Sequence, residues 1–131
     1  MAEDDPDDRL IVGQAFLEIG HGWDLRFVED GEELMRYLHR TKNYVDPLLS
    51  PRPEFILLDL NMPKKDGRQA LAEIKADPDL RGITVVIWTT SKESKDKVQC
   101  EKAGAEFYET KPGSYIELIN TLRSLINKYC F

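Results

Sequence analysis

The stretch that decides the reading runs from Phe55 to Gly67, FILLDLNMPKKDG. Its first four residues, Phe55–Leu58, are continuously apolar, the pattern of a strand covered on both faces. The run ends on a carboxylate, Asp59. Asn61, Met62 and Pro63 follow at once, and Asp66-Gly67 then turns the chain. An acid at the end of a buried strand is either a cap for the next loop or a working group. The rest of the chain has to choose between them.

Working outward, residues 83–88 (ITVVIW) form a second continuous apolar run. Residues 25–28 (LRFV) alternate polar and apolar before Glu29-Asp30-Gly31, and residues 106–109 (EFYE) read as a shorter, edge-like strand. Helical periodicity fills the intervals. Residues 6–19 open with Pro6 at a first helical position after Asp5, with Asp7 and Asp8 in the first turn, and place Leu10, Ile11, Ala15 and Ile19 toward one side. Residues 32–40 carry Leu34 and Leu38. Residues 68–76 carry Leu71 and Ile74 and stop before Pro78. Residues 94–103 have only a thin stripe, Val98 and Ala103, and end at Gly104. Residues 114–128 carry the clearest stripe: Leu118, Ile119, Leu122, Leu125 and Ile126. Residues 41–53, with Pro47, Pro51 and Pro53, read as a long surface loop. Strands alternating with helices predict an α/β fold, a parallel sheet wound on both faces, and such sheets bind ligands beyond the carboxyl ends of their strands. Asp59 stands at one of those ends.

The 131 residues fit one domain, 1–131, with no repeat and no linker. Hydrophobic residues make up 41 % and charged residues 32 %, enough for a core and for solubility. The net charge of -6 argues against nucleic acid as a partner, because no basic surplus is there to replace phosphate counterions. No apolar run has membrane-spanning length, and the acidic start is not a secretion signal. Cys100 and Cys130 have no metal-type spacing and read as reduced thiols of a cytoplasmic protein, with a disulfide between them as the lesser alternative. His21 and His39 read as surface residues. Trp23 and Trp88 read as core or interface aromatics.

Two further strand candidates end on reactive types. Ile87-Trp88 leads to Thr89-Thr90-Ser91, and Phe107-Tyr108 leads to Lys111-Pro112. In a parallel sheet these ends converge with Asp59, and Glu3-Asp4 stand just before the first helix. Up to three carboxylates and one lysine then share a hollow. Crowded carboxylates repel, so one takes a proton or the group binds a cation. An all-oxygen set with room for water suits magnesium. Phosphoryl transfer asks mainly for positioning and charge compensation, and aspartates are known to form acyl phosphates. The coherent chemistry is transient phosphorylation of Asp59. The plainer reading of EDDPDD is a solvated tail with helix-dipole acids, and Asp5, Asp7 and Asp8 are assigned to capping and surface.

The pair Glu3-Asp4, LLDLNMPKKDG, TTS and KP, in that order, resemble the receiver domain of bacterial two-component response regulators over nearly the whole chain. The resemblance implies a flavodoxin-like sheet of strand order 2-1-3-4-5. It also implies Asp59 as phosphoacceptor, and Glu3, Asp4, Asp59 and the Asn61 carbonyl as magnesium ligands. Thr89 then becomes the switch hydroxyl, Lys111 the family lysine and Tyr108 the switch aromatic, with a cis Lys111-Pro112 bond. The nearest pattern is that of stand-alone receivers serving phytochrome-type histidine kinases. One departure stands out. The resemblance implies an apolar first strand of about five residues ahead of the acidic pair, and only Met1-Ala2 stand there. A truncated strand, residues absent from the stated sequence, a strand donated by a second chain in a homodimer, or direct pairing of the neighbouring strands would each account for it.

The functional expectation is a single-domain response regulator without an output domain. It accepts a phosphoryl group from a sensor histidine kinase or histidine phosphotransfer protein and switches protein binding, without being a turnover enzyme. The alternative is a receiver-like interaction module that does not phosphorylate. A phosphatase or dehalogenase-type hydrolase is weaker, because Asn61 stands where such enzymes usually carry a second acid.

Overall fold

A computed structural model describes residues 1–20, 22 and 24–129. The expectations for His21, Trp23 and Cys130 lie outside the described residues. Three parallel strands, β1 (Phe55–Leu58), β2 (Thr84–Thr89) and β3 (Phe107–Thr110), form a sheet of order β1-β2-β3. Register is fixed by Leu58 opposite Ile87 and Thr89 opposite Thr110. The helices are α1 (Pro6–Ile19), α2 (Gly31–His39), α3 (Gly67–Ala76), α4 (Ser94–Lys102) and α5 (Tyr115–Tyr129), and the loop after α2 contains a 3-10 turn, Lys42–Tyr44.

The sequence explains the starts of three helices. Asp5 accepts a hydrogen bond from the Asp7 N–H ahead of Pro6, Asp30 caps α2 through the Glu33 N–H, and Asp66 forms a reciprocal capping box with Gln69. Strand alternation then divides the core. Ile56, Leu58, Val85 and Ile87 pack with Leu34, Leu38, Leu71 and Ile74 on one face of the sheet. Leu57, Val86 and Trp88 pack with Val12, Phe16, Leu118 and Leu122 on the other. Both faces are covered, which is why these strands read as unbroken apolar runs.

The first strand is shortened rather than missing. Ala2 is fully buried and bridges Val28 on one side and Leu58 on the other, both in parallel. Its N–H donates to Leu57 O at 2.8 Å, and its carbonyl accepts from Asp59 N–H at 3.1 Å. Across the other side, Val28 N–H donates to Met1 O and Glu3 N–H donates to Val28 O, both at 3.0 Å. In space the order is residue 28, residue 2, β1, β2, β3, which is the 2-1-3-4-5 order with its strands 2 and 1 each represented by a single bridging residue. The neighbouring strands do not pair directly.

Other expectations are corrected. Residues 25–28 form no regular strand beyond Val28, because the partner ladder is so short. The buried face of α1 is Val12, Ala15, Phe16 and Ile19, while Leu10 and Ile11 are exposed. Both residues of the stripe expected for α4, Val98 and Ala103, are exposed, and Asp96 and Cys100 are buried instead. Arg68 donates to Asp96 at 2.9 Å and Ser91 Oγ donates to it at 2.6 Å, so an ion pair rather than apolar area seats that helix. Trp88 is core as expected, and His39 is exposed with Asp77 3.8 Å away. The Lys111–Pro112 bond is trans.

Candidate functional site

Asp59 is the first residue beyond β1, and two backbone constraints hold it. Its N–H is tied to Ala2 O, and the chain that follows is pinned to α3, where Gly67 N–H donates to Leu60 O at 2.9 Å. The approach is close: a Cβ on Gly67 would stand 2.1 Å from Asp59 O. Only glycine fits there, which explains the Asp66-Gly67 pair in the deciding stretch.

Lys111, one residue beyond β3, reaches back across the sheet. Its Nζ lies 2.5 Å from Glu3 Oε1, 2.8 Å from Asp8 Oδ2 and 3.2 Å from Asp59 Oδ2. Its backbone N–H donates to Thr89 O at 2.7 Å, which sets the level of that side chain. Carboxylate oxygens of Glu3, Asp4 and Asp59 come within 4.8 Å of one another. Glu3 and Asp59 are buried, and Asp4 is exposed.

These groups compete electrostatically. Burial, and after it the Asp59 carboxyl, pushes the Glu3 carboxyl up from 4.5 to about 8, against the pull of Lys111. Burial alone would lower the Lys111 ammonium, but the carboxylates of Asp8, Glu3 and Asp59 outweigh it and hold Lys111 above the ordinary lysine range. The arrangement therefore contains more negative charge than one lysine balances, and a proton on Glu3 relieves the excess.

Thr89 is fully buried at the end of β2. The register places it one residue past the level of Asp59 on the adjacent strand. Its Oγ1 accepts from Ser91 N–H at 3.2 Å. Tyr108 is half-buried, and its hydroxyl donates to Ser91 O at 3.0 Å. Asn61 is exposed and donates its N–H to Asp59 Oδ1 at 3.3 Å.

The structure thus joins Glu3, Asp4, Asp59, Asn61 and Lys111 directly and sets Thr89 on the next strand end. One participant was misassigned from sequence: Asp8, read as a surface acid, grips Lys111. Nothing local marks it, since Asp4 lies ahead of the Asp5 cap and outside α1, and the partner of Asp8 is 103 residues away.

The response regulator receiver domain model matches residues 1–123. The chain belongs to this family. It is a receiver of two-component signalling, a class in which a phosphoryl group passes from a histidine kinase to the regulator. Response regulator Rcp1 of Synechocystis sp. is 36 % identical over 125 residues, covering 95 % of this chain and 83 % of its own. The phosphorylated cyanobacterial phytochrome response regulator RcpA superposes with a TM-score of 0.89 at 34 % identity, over 98 % of this chain and 89 % of that one. Response regulator RPA3017, in red light signalling of R. palustris, gives 0.92 at 32 % identity, over 98 % and 90 %. No helix among the described residues is long and apolar enough to cross a membrane.

Proposed function

We propose that this receiver accepts its phosphoryl group on Asp59, from a sensor histidine kinase or a histidine phosphotransfer protein, and that the kinase is of the phytochrome type. The observation that carries the residue assignment is the Lys111 ammonium 3.2 Å from the carboxylate of Asp59. An Asp59 oxygen attacks phosphorus, the P–N bond of the donor phosphohistidine breaks, and its electron pair leaves with the imidazole nitrogen. Lys111 offsets the negative charge brought in, and the Thr89 hydroxyl, an acceptor from Ser91 N–H, would donate its own hydrogen to a phosphoryl oxygen. The phytochrome assignment is supported by what RcpA is called and by the red light signalling of RPA3017.

The acidic set fits a hard divalent cation. Glu3, Asp4 and Asp59 supply oxygens alone, one of them is exposed, and among the described residues Lys111 is the cation paired with this set. These three, with the Asn61 carbonyl, would hold magnesium, which supplies charge neutralisation between the acid and the phosphoryl group. The manganese-bound form of Rcp1 superposes with a TM-score of 0.85 at 36 % identity, over 96 % of this chain and 88 % of that one.

All 131 residues are assigned to one receiver unit, whose output is altered protein binding through residues 90–110. α4 buries little apolar surface and is held by the Asp96 contacts, so it is poised to move when Thr89 turns inward. The test is incubation with acetyl phosphate and magnesium, read by intact-protein mass and by hydrogen exchange. Wild type gains one phosphoryl group and Asp59→Asn gains none, while exchange across residues 90–110 changes. No gain on wild type, where a control receiver reacts, leaves a non-phosphorylating interaction module.

A further inference from the structure

The three partners of Lys111 are not equivalent. Its ammonium donates to Glu3 Oε1 at 2.5 Å, to Asp8 Oδ2 at 2.8 Å and to Asp59 Oδ2 at 3.2 Å. An ammonium has three N–H donors, so the set is fully used. Glu3 and Asp59 belong to the group whose carboxylate oxygens come within 4.8 Å of one another, and Asp8 does not. The partners also differ in depth. The side chain of Glu3 is 0 % exposed and that of Asp59 7 %, against 34 % for Asp8, with Lys111 between them at 14 %. Asp8 therefore grips the ammonium from the solvent side, while the other two grip it from within.

The fold aims Asp8 independently of the acidic pair. Asp8 is the third residue of α1, in a first turn whose free N–H groups favour an acid. Val12, Ala15 and Phe16 of α1 pack with Leu118 and Leu122 of α5, and Lys111 stands on the segment that joins β3 to α5. The helix start does not need Asp8, because Asp5 supplies the cap and Pro6 the first position. Among the described residues Lys111 is the one hydrogen-bond or ion-pair partner of its side chain.

We propose that Asp8 is a positioning residue for phosphoryl transfer, which keeps Lys111 at the pocket once Glu3 and Asp59 are engaged elsewhere. The proposal rests on the reading of Asp59 as phosphoacceptor and of Glu3, Asp4 and Asp59 as the magnesium set. When Glu3 and Asp59 turn their oxygens to magnesium, Lys111 loses both deep partners and faces a like charge at close range. Its four-carbon stem is flexible and its ammonium is strongly hydrated, so nothing else keeps it from swinging into solvent. Asp8 lies outside the ligand set and retains its hold. Tethered there through one N–H, the ammonium has two donors left for the phosphoryl oxygens on Asp59. Asp8 touches no reacting atom and acts through Lys111.

The test compares the full chain with Asp8→Asn and with Asp7→Asn, which removes the same charge from an exposed position of the same turn. The first readout is the NMR resonance of the Lys111 ammonium in 15N-labelled protein, and it does not involve phosphorylation. In chelator all three proteins should show it, because Glu3 and Asp59 suffice to hold the group. In saturating magnesium wild type and Asp7→Asn should keep it and Asp8→Asn should lose it. The second readout is phosphorylation by acetyl phosphate in saturating magnesium, expected to be about tenfold to a hundredfold slower in Asp8→Asn alone. Magnesium affinity by calorimetry should stay within about threefold of wild type. A resonance that survives magnesium in Asp8→Asn, or disappears in wild type or equally in Asp7→Asn, would overturn the proposal. Loss already in chelator would do the same, by making Asp8 a structural anchor only. So would phosphorylation of Asp8→Asn at or above the wild-type rate, which would make Asp8 a competitor for the lysine. A wild type that neither takes up magnesium nor gains a phosphoryl group would sink the reading of the site itself; a reactive wild type matched by Asp8→Asn sinks this proposal alone.

Discussion

Glu3→Gln tests the electrostatics of the pocket without touching the phosphoacceptor. The Glu3 carboxyl rises from 4.5 to about 8 on folding. Between those values the native state binds the extra proton, so its contribution to stability is complete below 4.5 and is lost as pH rises toward 8. Integrating from pH 5 to pH 7.5 at 1.36 kcal/mol per unit gives a loss of about 3 kcal/mol. Lys111 stays charged over that range in both states and contributes no slope. The buried Met1 amine titrates in the same window with the opposite sign, but in wild type and variant alike. The difference between the two proteins therefore isolates Glu3. Urea denaturation in chelator at pH 5.0, 6.0, 7.0 and 7.5 provides the assay. Relative to wild type, Glu3→Gln should gain about 3 kcal/mol across the series, a midpoint shift of roughly 1–3 M. Parallel curves, with the two proteins within about 0.5 kcal/mol of a constant offset, would show that Glu3 does not hold a proton and that the charge analysis is wrong.

Three other perturbations follow from single contacts. Lys111→Met leaves Glu3, Asp8 and Asp59 without their shared cation and should cost about 3 kcal/mol at pH 7; adding magnesium should restore part of the lost Tm, and a variant as stable as wild type would refute the pairing. Gly67→Ala forces a Cβ into the Asp59 carbonyl and should cost about 2 kcal/mol or more, with the Asp59 amide among the most displaced in NMR spectra. Arg68→Ala removes one of the two bonds to Asp96 and should speed hydrogen exchange across α4 selectively, with about 1 kcal/mol of global stability lost; exchange that accelerates uniformly would argue that α4 is not held there.

Much of this site was legible before any coordinates, and the reason is local. Asp59 and Lys111 each follow a strand and Thr89 ends one, each strand marked by its apolar run or β-forming residues, and a parallel sheet brings such ends together. Asp5 ahead of Pro6 announces the first helix by residue type. What could not be read was long-range. Asp96 is buried because Arg68 and Ser91 reach it, so a polar residue occupies the place that Val98 was expected to fill. Asp8 looked like a first-turn acid because its partner lies 103 residues away. The shortened first strand was visible as an absence. That Met1, Ala2 and Glu3 nonetheless take its place depends on backbone hydrogen bonds, which residue types do not report.

Ser91 has two contacts that carry a consequence for timing. Its carbonyl holds the Tyr108 hydroxyl and its own hydroxyl holds Asp96, two residues after Thr89 in the chain. Any shift of Thr89 that drags Ser91 releases the aromatic ring and the start of α4 in the same event. A partner surveying this face would then meet one of two shapes rather than a continuum, and the duration of its response would follow the lifetime of the acyl phosphate.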